Sequence, residues 1–217
     1  MPLIKLYLAI AITIINISEI FCHGMLMEPV NRGSAWKKNF KTPINYDDDG
    51  NYCGGHSSHA ILNGGKCGVC GDNYSFKPPR ANENGGRYGT GTIVQTYTEG
   101  QQLQAIVQLT TNHWGTFDFA LCPLENKNDI ETEECFAKHP IKLASGESKY
   151  TIKSRRKGIF KINLILPKGV SCSHCSLRWN YRVANSWGVC EDGHEALGCG
   201  FQETFRTCSD ITILPNS

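Results

Sequence analysis

The chain has 217 residues, a formal net charge of +2, 22 glycines and 11 cysteines. A balance so close to neutral gives no basis for a nucleic-acid or anionic-membrane partner, and the length suits one domain of ordinary size.

The first element is a leader. Lys5 precedes the apolar run Leu6–Ile15, and a small residue follows at Cys22, the layout of a secretory signal peptide. The run is broken by Asn16, Ser18 and Glu19, too early for the roughly 20 apolar residues of a bilayer span. No membrane anchor is expected. Ile20 and Cys22 depart from the Ala-x-Ala pattern that signal peptidase prefers, yet cleavage before His23 is the expected processing. Residues 1–22 are thus read as signal and 23–217 as a single mature domain, secreted and expected to be a monomer.

Once Cys22 is removed, the cysteines are Cys53, Cys67, Cys70, Cys122, Cys135, Cys172, Cys175, Cys190, Cys199 and Cys208. An even number in an oxidising compartment predicts five disulfides, but hundreds of pairings satisfy the count and it selects none. Zinc is the competing use. The two Cys-x-x-Cys pairs lie about a hundred residues apart instead of the usual 15–20, and Cys53, His56 and His59 with Cys67 and Cys70 lack finger spacing.

Residues 37–90 carry ten glycines with Pro78 and Pro79 and show no sustained periodicity, which predicts a long loop-rich excursion stapled by its cysteines. The sequon Asn73-Tyr74-Ser75 within it permits N-glycosylation. From Gly91 onward the apolar pattern has period two. Gln104–Leu109, Thr116–Leu121 and Phe160–Leu166 read as half-buried strands, as does the stretch with Leu177, Trp179, Tyr181 and Val183 on one face. Phe201, Glu203 and Phe205 are expected to share a face as well. Short strands without a helical pattern between them predict an all-β sandwich with long stapled loops and little helix.

Cleavage before His23 would expose an α-amine and an imidazole on one residue, with reference pKa values of about 7.7–8.0 and about 6.5, so a metal can displace the amine proton near neutrality. A second imidazole makes three nitrogens, a donor set that suits Cu(II). His113, in the loop Thr110–Gly115 between two predicted strands, is the candidate; the alternative is a structural histidine beside Trp114. His56, His59, His139, His174 and His194 lack a comparable setting.

The stretch His23-Gly24 … Pro29 … Arg32-x-Ser34-x-Trp36, with Cys67–Asp72, Asn112–Gly115, Asn185–Gly188 and Cys199–Cys208, resembles the lytic polysaccharide monooxygenases of auxiliary activity family 15 over essentially the whole mature chain. The resemblance implies a sandwich related to immunoglobulin and fibronectin type III folds, with one copper on a flat face that meets crystalline chitin or cellulose. It implies that His23 and His113 hold the copper and that Phe205 takes the axial position, where some members carry tyrosine. It further implies an external electron donor, O2 or H2O2, and hydroxylation at C1 or C4 of the sugar. Strand alternation would set Glu203 about 7 Å from Phe205, close enough to deliver a proton, with Gln202 as substitute; the alternative for Glu203 is a salt bridge to Arg206 or Arg32. Two other readings compete with the enzyme: a secreted chitin-binding or copper-binding protein without turnover, and a purely structural domain. Tyr52, Tyr74, Phe76 and Tyr88, in the loop-rich region, are the aromatics available to grip a flat surface; the alternative for each is burial.

Overall fold

The computed structural model describes residues 24–216; the expected leader, residues 1–22, and His23 lie outside them. Eleven strands form: β1 (Gly24–Glu28), β2 (Gln95–Thr98), β3 (Gln102–Leu109), β4 (Thr116–Pro123), β5 (Pro140–Leu143), β6 (Tyr150–Thr151), β7 (Gly158–Ile165), β8 (Cys172–Arg182), β9 (Trp187–Val189), β10 (Glu195–Leu197) and β11 (Thr204–Leu214). Nine of them make one hydrogen-bonded sheet: eight follow the path β1-β3-β7-β5-β4-β8-β11-β2, and β6 pairs with β4 off that path. Strand β5 pairs with β7 on one side and with β4 on the other. It therefore joins two halves that face each other across a single core.

Alternation explains which residues fill that core. In β3, Leu103, Ala105, Val107 and Leu109 are buried while Gln102 and Gln104 are exposed. Across from them lie Phe117, Phe119 and Leu121 of β4 and Leu177, Trp179 and Tyr181 of β8. Phe117 packs edge-on against Trp179 and Tyr181, with centroids 5.4 and 5.0 Å away. Such pairs add roughly 0.5–1.5 kcal/mol beyond area burial. β8 extends further than its alternating stretch suggests, back to Cys172, because it pairs with both β4 and β11.

Helix is scarce, as expected. Among the described residues the one α-helix is α1 (Glu133–Lys138), capped where Thr132 Oγ1 accepts from Cys135 N at 3.1 Å. The excursion forms a π-helical turn at Ser58–Leu62 and otherwise irregular chain.

Five disulfides form: Cys53–Cys67, Cys70–Cys208, Cys122–Cys135, Cys172–Cys175 and Cys190–Cys199. They consume the thiolates that either zinc arrangement needs, and Cys67 and Cys70 go to different partners. Cys70–Cys208 ties the excursion to β11.

Arg32 does the same through charge. Its guanidinium is buried and bonds the Asp210 carboxylate through Nε at 2.9 Å and Nη2 at 2.5 Å, Glu131 at 2.6 Å and the Asn82 carbonyl at 2.8 Å. His174 adds a bond to Asp210 at 2.7 Å. Burial opposes the charge on both main partners. The carboxylates nevertheless raise the Arg32 pKa, and Arg32 and His174 hold the Asp210 carboxyl down at about 2.

Asp210→Asn leaves a buried guanidinium short of its partner and should cost about 3–5 kcal/mol in denaturant unfolding at pH 7. The Asp210 contribution to native stability is complete above its ordinary value of 3.8 and is lost as pH falls towards about 2. Acid titration of the folded fraction should show that loss in the native chain and a flatter profile in the variant.

Candidate metal centre

The site is built at one end of the core. Gly24 opens β1 opposite Leu109, the last residue of β3, so the start of the described chain lies where the loop 110–115 departs. No side chain fits at that point: a Cβ on Gly24 would sit 2.6 Å from Leu109 Cδ2 and 3.1 Å from Trp179 Cη2. The backbone is thereby laid directly on the Trp179 ring. His23 itself lies outside the described residues.

The loop carrying His113 is clamped on every side. Asn112 Oδ1 accepts from Trp114 N at 2.9 Å, while its Nδ2 donates to the carbonyls of Ser154 and Arg156 at 2.9 and 2.7 Å. The Tyr181 hydroxyl accepts from His113 N at 3.1 Å and donates to Trp114 O at 2.8 Å. Ala184 N donates to His113 O at 3.1 Å. Trp114 has φ +59°, and Gly115, at φ +100°, would place a Cβ 2.0 Å from Arg182 O. Glycine is therefore required there. His113 sits on a fixed backbone, half-buried.

Phe205 is buried, its ring centroid 5.9 Å from that of Tyr181 and 5.9 Å from that of Tyr52. It pairs with Tyr181 in the β8–β11 ladder, which brings His113, Tyr181 and Phe205 into one group. The ladder runs one residue past the strand, where Val183 N donates to Glu203 O at 3.1 Å. Glu203 is partly buried, and burial pushes its carboxyl up to about 7. Among the described residues no ion pair joins it to Arg32 or Arg206. Arg32 is held by Asp210 and Glu131, and Arg206 by Asn180 and Glu133.

Gln202 has a different occupation. Its Oε1 accepts from Ser186 N at 2.9 Å, and its Nε2 donates to Ser186 O at 2.9 Å and Cys199 O at 2.6 Å. Its carboxamide thus pins the base of the β9–β10 hairpin. Phe201 does not share the face of Phe205, because β11 begins only at Thr204; its ring packs against His59 and His56, at 4.8 and 5.5 Å. The conformation of Asn73 is set by Asn63 Nδ2, Ser75 N and Ser75 Oγ, all donating to its Oδ1. Tyr52 is part of the core wall, whereas Tyr74 and Phe76 are exposed and Tyr88 lies under Arg87.

Two parts of the site escape a reading of the sequence. The Tyr181 clamp joins groups 68 positions apart, and period two marks Tyr181 simply as core. The second is Trp187 on β9, exposed, with its indole N–H reaching Glu195 of β10 at 3.3 Å. Val189 and Leu197 are exposed on the same hairpin.

The donors fit copper. Every cysteine among the described residues is in a disulfide, so the donor described at this end is the His113 imidazole, a nitrogen ligand of the kind that suits Cu(II), near the buried rings of Tyr181 and Phe205.

Comparison with known proteins agrees with this chemistry. Residues 23–211 match the family described as lytic polysaccharide mono-oxygenase, cellulose-degrading. A lytic polysaccharide monooxygenase AA15 from Thermobia domestica, in the Cu(I) state, superposes with a TM-score of 0.87 at 41% identity, covering 88% of this chain and 99% of that one. LPMO10B from Micromonospora aurantiaca aligns over 88% of this chain and 99% of its own, at 12% identity and a TM-score of 0.42. A search of curated protein sequences finds no significant match. From the family match and the close structural likeness, the chain belongs to the lytic polysaccharide monooxygenases of auxiliary activity family 15, copper-dependent oxidoreductases.

Proposed function

We propose that residues 1–22 direct secretion and are removed, that the amine and imidazole of His23 hold one copper with His113, and that the enzyme cleaves chitin or cellulose oxidatively. The observation that carries this reading is the clamped His113 loop beside the point where Gly24 enters the sheet. Five disulfides accord with an oxidising compartment. When bound, copper supplies the redox chemistry by which O2 or H2O2, with an external electron donor, hydroxylates the sugar at C1 or C4. The hydroxylated carbon then expels the glycosidic oxygen.

The chain's own residues set the conditions for that step. The fixed backbone at 112–115 holds the His113 ring in place without reorganisation. Phe205, buried beside Tyr181, would offer a copper held there a phenyl ring that cannot ligate. Glu203, its carboxyl pushed up to about 7 by burial, keeps its proton in about half of the molecules at neutrality and is the group assigned to deliver it. Trp187 presents a ring face to the flat polymer, held in orientation by Glu195.

The chain should be expressed with its own leader, its first residue read by intact mass, and the copper-loaded protein incubated with β-chitin and with cellulose plus ascorbate. Mass spectrometry should find oxidised oligosaccharides that disappear without reductant. His113→Ala should abolish them and weaken copper binding more than tenfold. Tight copper binding with no oxidised product from either polymer would support the non-catalytic reading instead.

Glu203→Gln should lower product formation by about a hundredfold with copper binding unchanged. The native rate should fall as pH rises through about 7 and the acid form is lost, while the variant profile should be flat there. Trp187→Ala should weaken adsorption to the polymer about tenfold, some 1.4 kcal/mol; equal adsorption by both proteins would remove the hairpin from the binding face.

A further inference from the structure

The bridge Cys190–Cys199 differs from the other four in exposure and in its neighbours. Each of the others has at least one buried cysteine, but here both are only half-buried. The bridge closes the end of the β9–β10 hairpin. Cys190 N donates to His194 O at 2.7 Å and Gly193 N to Cys190 O at 2.9 Å, a tight turn that folds His194 back over the sulfur. His194 Nε2 lies 3.3 Å from Cys190 Sγ, and its Nδ1 is hydrogen-bonded to the Asp192 carboxylate. The two sulfurs and the ring nitrogen all lie within 4.8 Å of one another.

Exposure is what makes a disulfide open to thiol exchange. Two thiolates and an imidazole whose far nitrogen is oriented by a carboxylate form a soft ligand set of the kind that selects Cu(I). We propose that small-molecule thiols open Cys190–Cys199 in the folded protein and that Cys190, His194 and Cys199 then bind one Cu(I) ion, separate from the copper at the chain terminus.

The chemistry balances. The thiolate of one reductant molecule attacks Cys199 Sγ, the S–S bond breaks, and Cys190 leaves as a thiolate beside the His194 ring. A second reductant thiolate attacks the reductant sulfur of the mixed disulfide and frees Cys199. Two reductant thiols are oxidised to one disulfide, the protein bridge gains two electrons, and the two protons released by the thiols end on Cys190 and Cys199. Binding of Cu(I) then displaces those two protons without change in the oxidation state of the metal. The hairpin base survives the opening, because Gln202 holds Ser186 and Cys199 through their backbone.

The test treats the full chain with glutathione under anaerobic conditions, removes the thiol by gel filtration, alkylates a portion and maps it by peptide mass spectrometry. Label should appear on Cys190 and Cys199 before any other cysteine, with the circular dichroism unchanged. Titration of the remainder against a chromophoric Cu(I) chelator should show one more equivalent of tightly held Cu(I) than untreated protein. Cys190→Ser with Cys199→Ser should lose that equivalent. His194→Ala, which leaves the bridge intact, should still yield the two thiols but bind the extra ion more than tenfold more weakly. The proposal is overturned if label appears first on another pair or only on unfolding, if the extra equivalent survives the double serine change, or if His194→Ala binds it as tightly as the native chain.

Discussion

The irregular quarter of this molecule hangs on one buried guanidinium. Arg32 binds Asp210 on β11, Glu131 ahead of α1 and the Asn82 carbonyl in the excursion, and its Nη1 also reaches Cys70 Sγ at 3.7 Å. Glu131 in turn accepts from Asn84 N at 3.0 Å. Charges so deeply buried are unfavourable unless paired and fully hydrogen-bonded. Only arginine offers a planar fork of five donors that can serve three segments at once; a lysine at the same place would leave acceptors unmet. The excursion has too little apolar periodicity to fold on a core of its own, and this polar hub with Cys70–Cys208 supplies what hydrophobic burial does not.

How much of this is legible in the sequence depends on the range of each interaction. Alternation is local, so β3, β4, β7 and much of β8 can be read directly, and each was found within a few residues of its expected position. Short strands such as β5 and β6 give too few residues for a period to show, and β1 ends against a proline. Disulfide partners are set by the fold: Cys70 pairs with Cys208 across 138 positions and not with its close neighbour Cys67. His113 stands out because it sits in a loop between strands, yet the hydroxyl that fixes it comes from Tyr181. The expectation that Phe201 lies beside Phe205 fails because alternation holds only within a strand, and Phe201 precedes the strand.

The aromatic floor links packing to electrostatics. Tyr52, Phe205, Tyr181, Phe117 and Trp179 form a chain of tilted and edge-on ring contacts from the excursion into the core. Glu203 lies just ahead of Phe205 in the chain, and its own burial stabilises the carboxyl in its neutral form. Burial on folding therefore also sets the protonation state of Glu203. Structure and reactivity share one cause here.

Strand β5, hydrogen-bonded to both halves, makes the two layers a single folded ribbon that cannot slide apart as separate sheets can. Such a ribbon has two free margins, and β1 is one of them. The strand is tethered at its far end, where Ser209 bonds Pro29 O and Arg32 N bonds Cys208 O, while at Gly24 its ladder partner among the described residues is β3. Local opening would peel β1 from Gly24 inward while the rest of the ribbon stays shut. Under the proposed copper site, an ion held by His23 and His113 would act as a rivet at that margin, slowing amide exchange in β1 far more than in the interior strands.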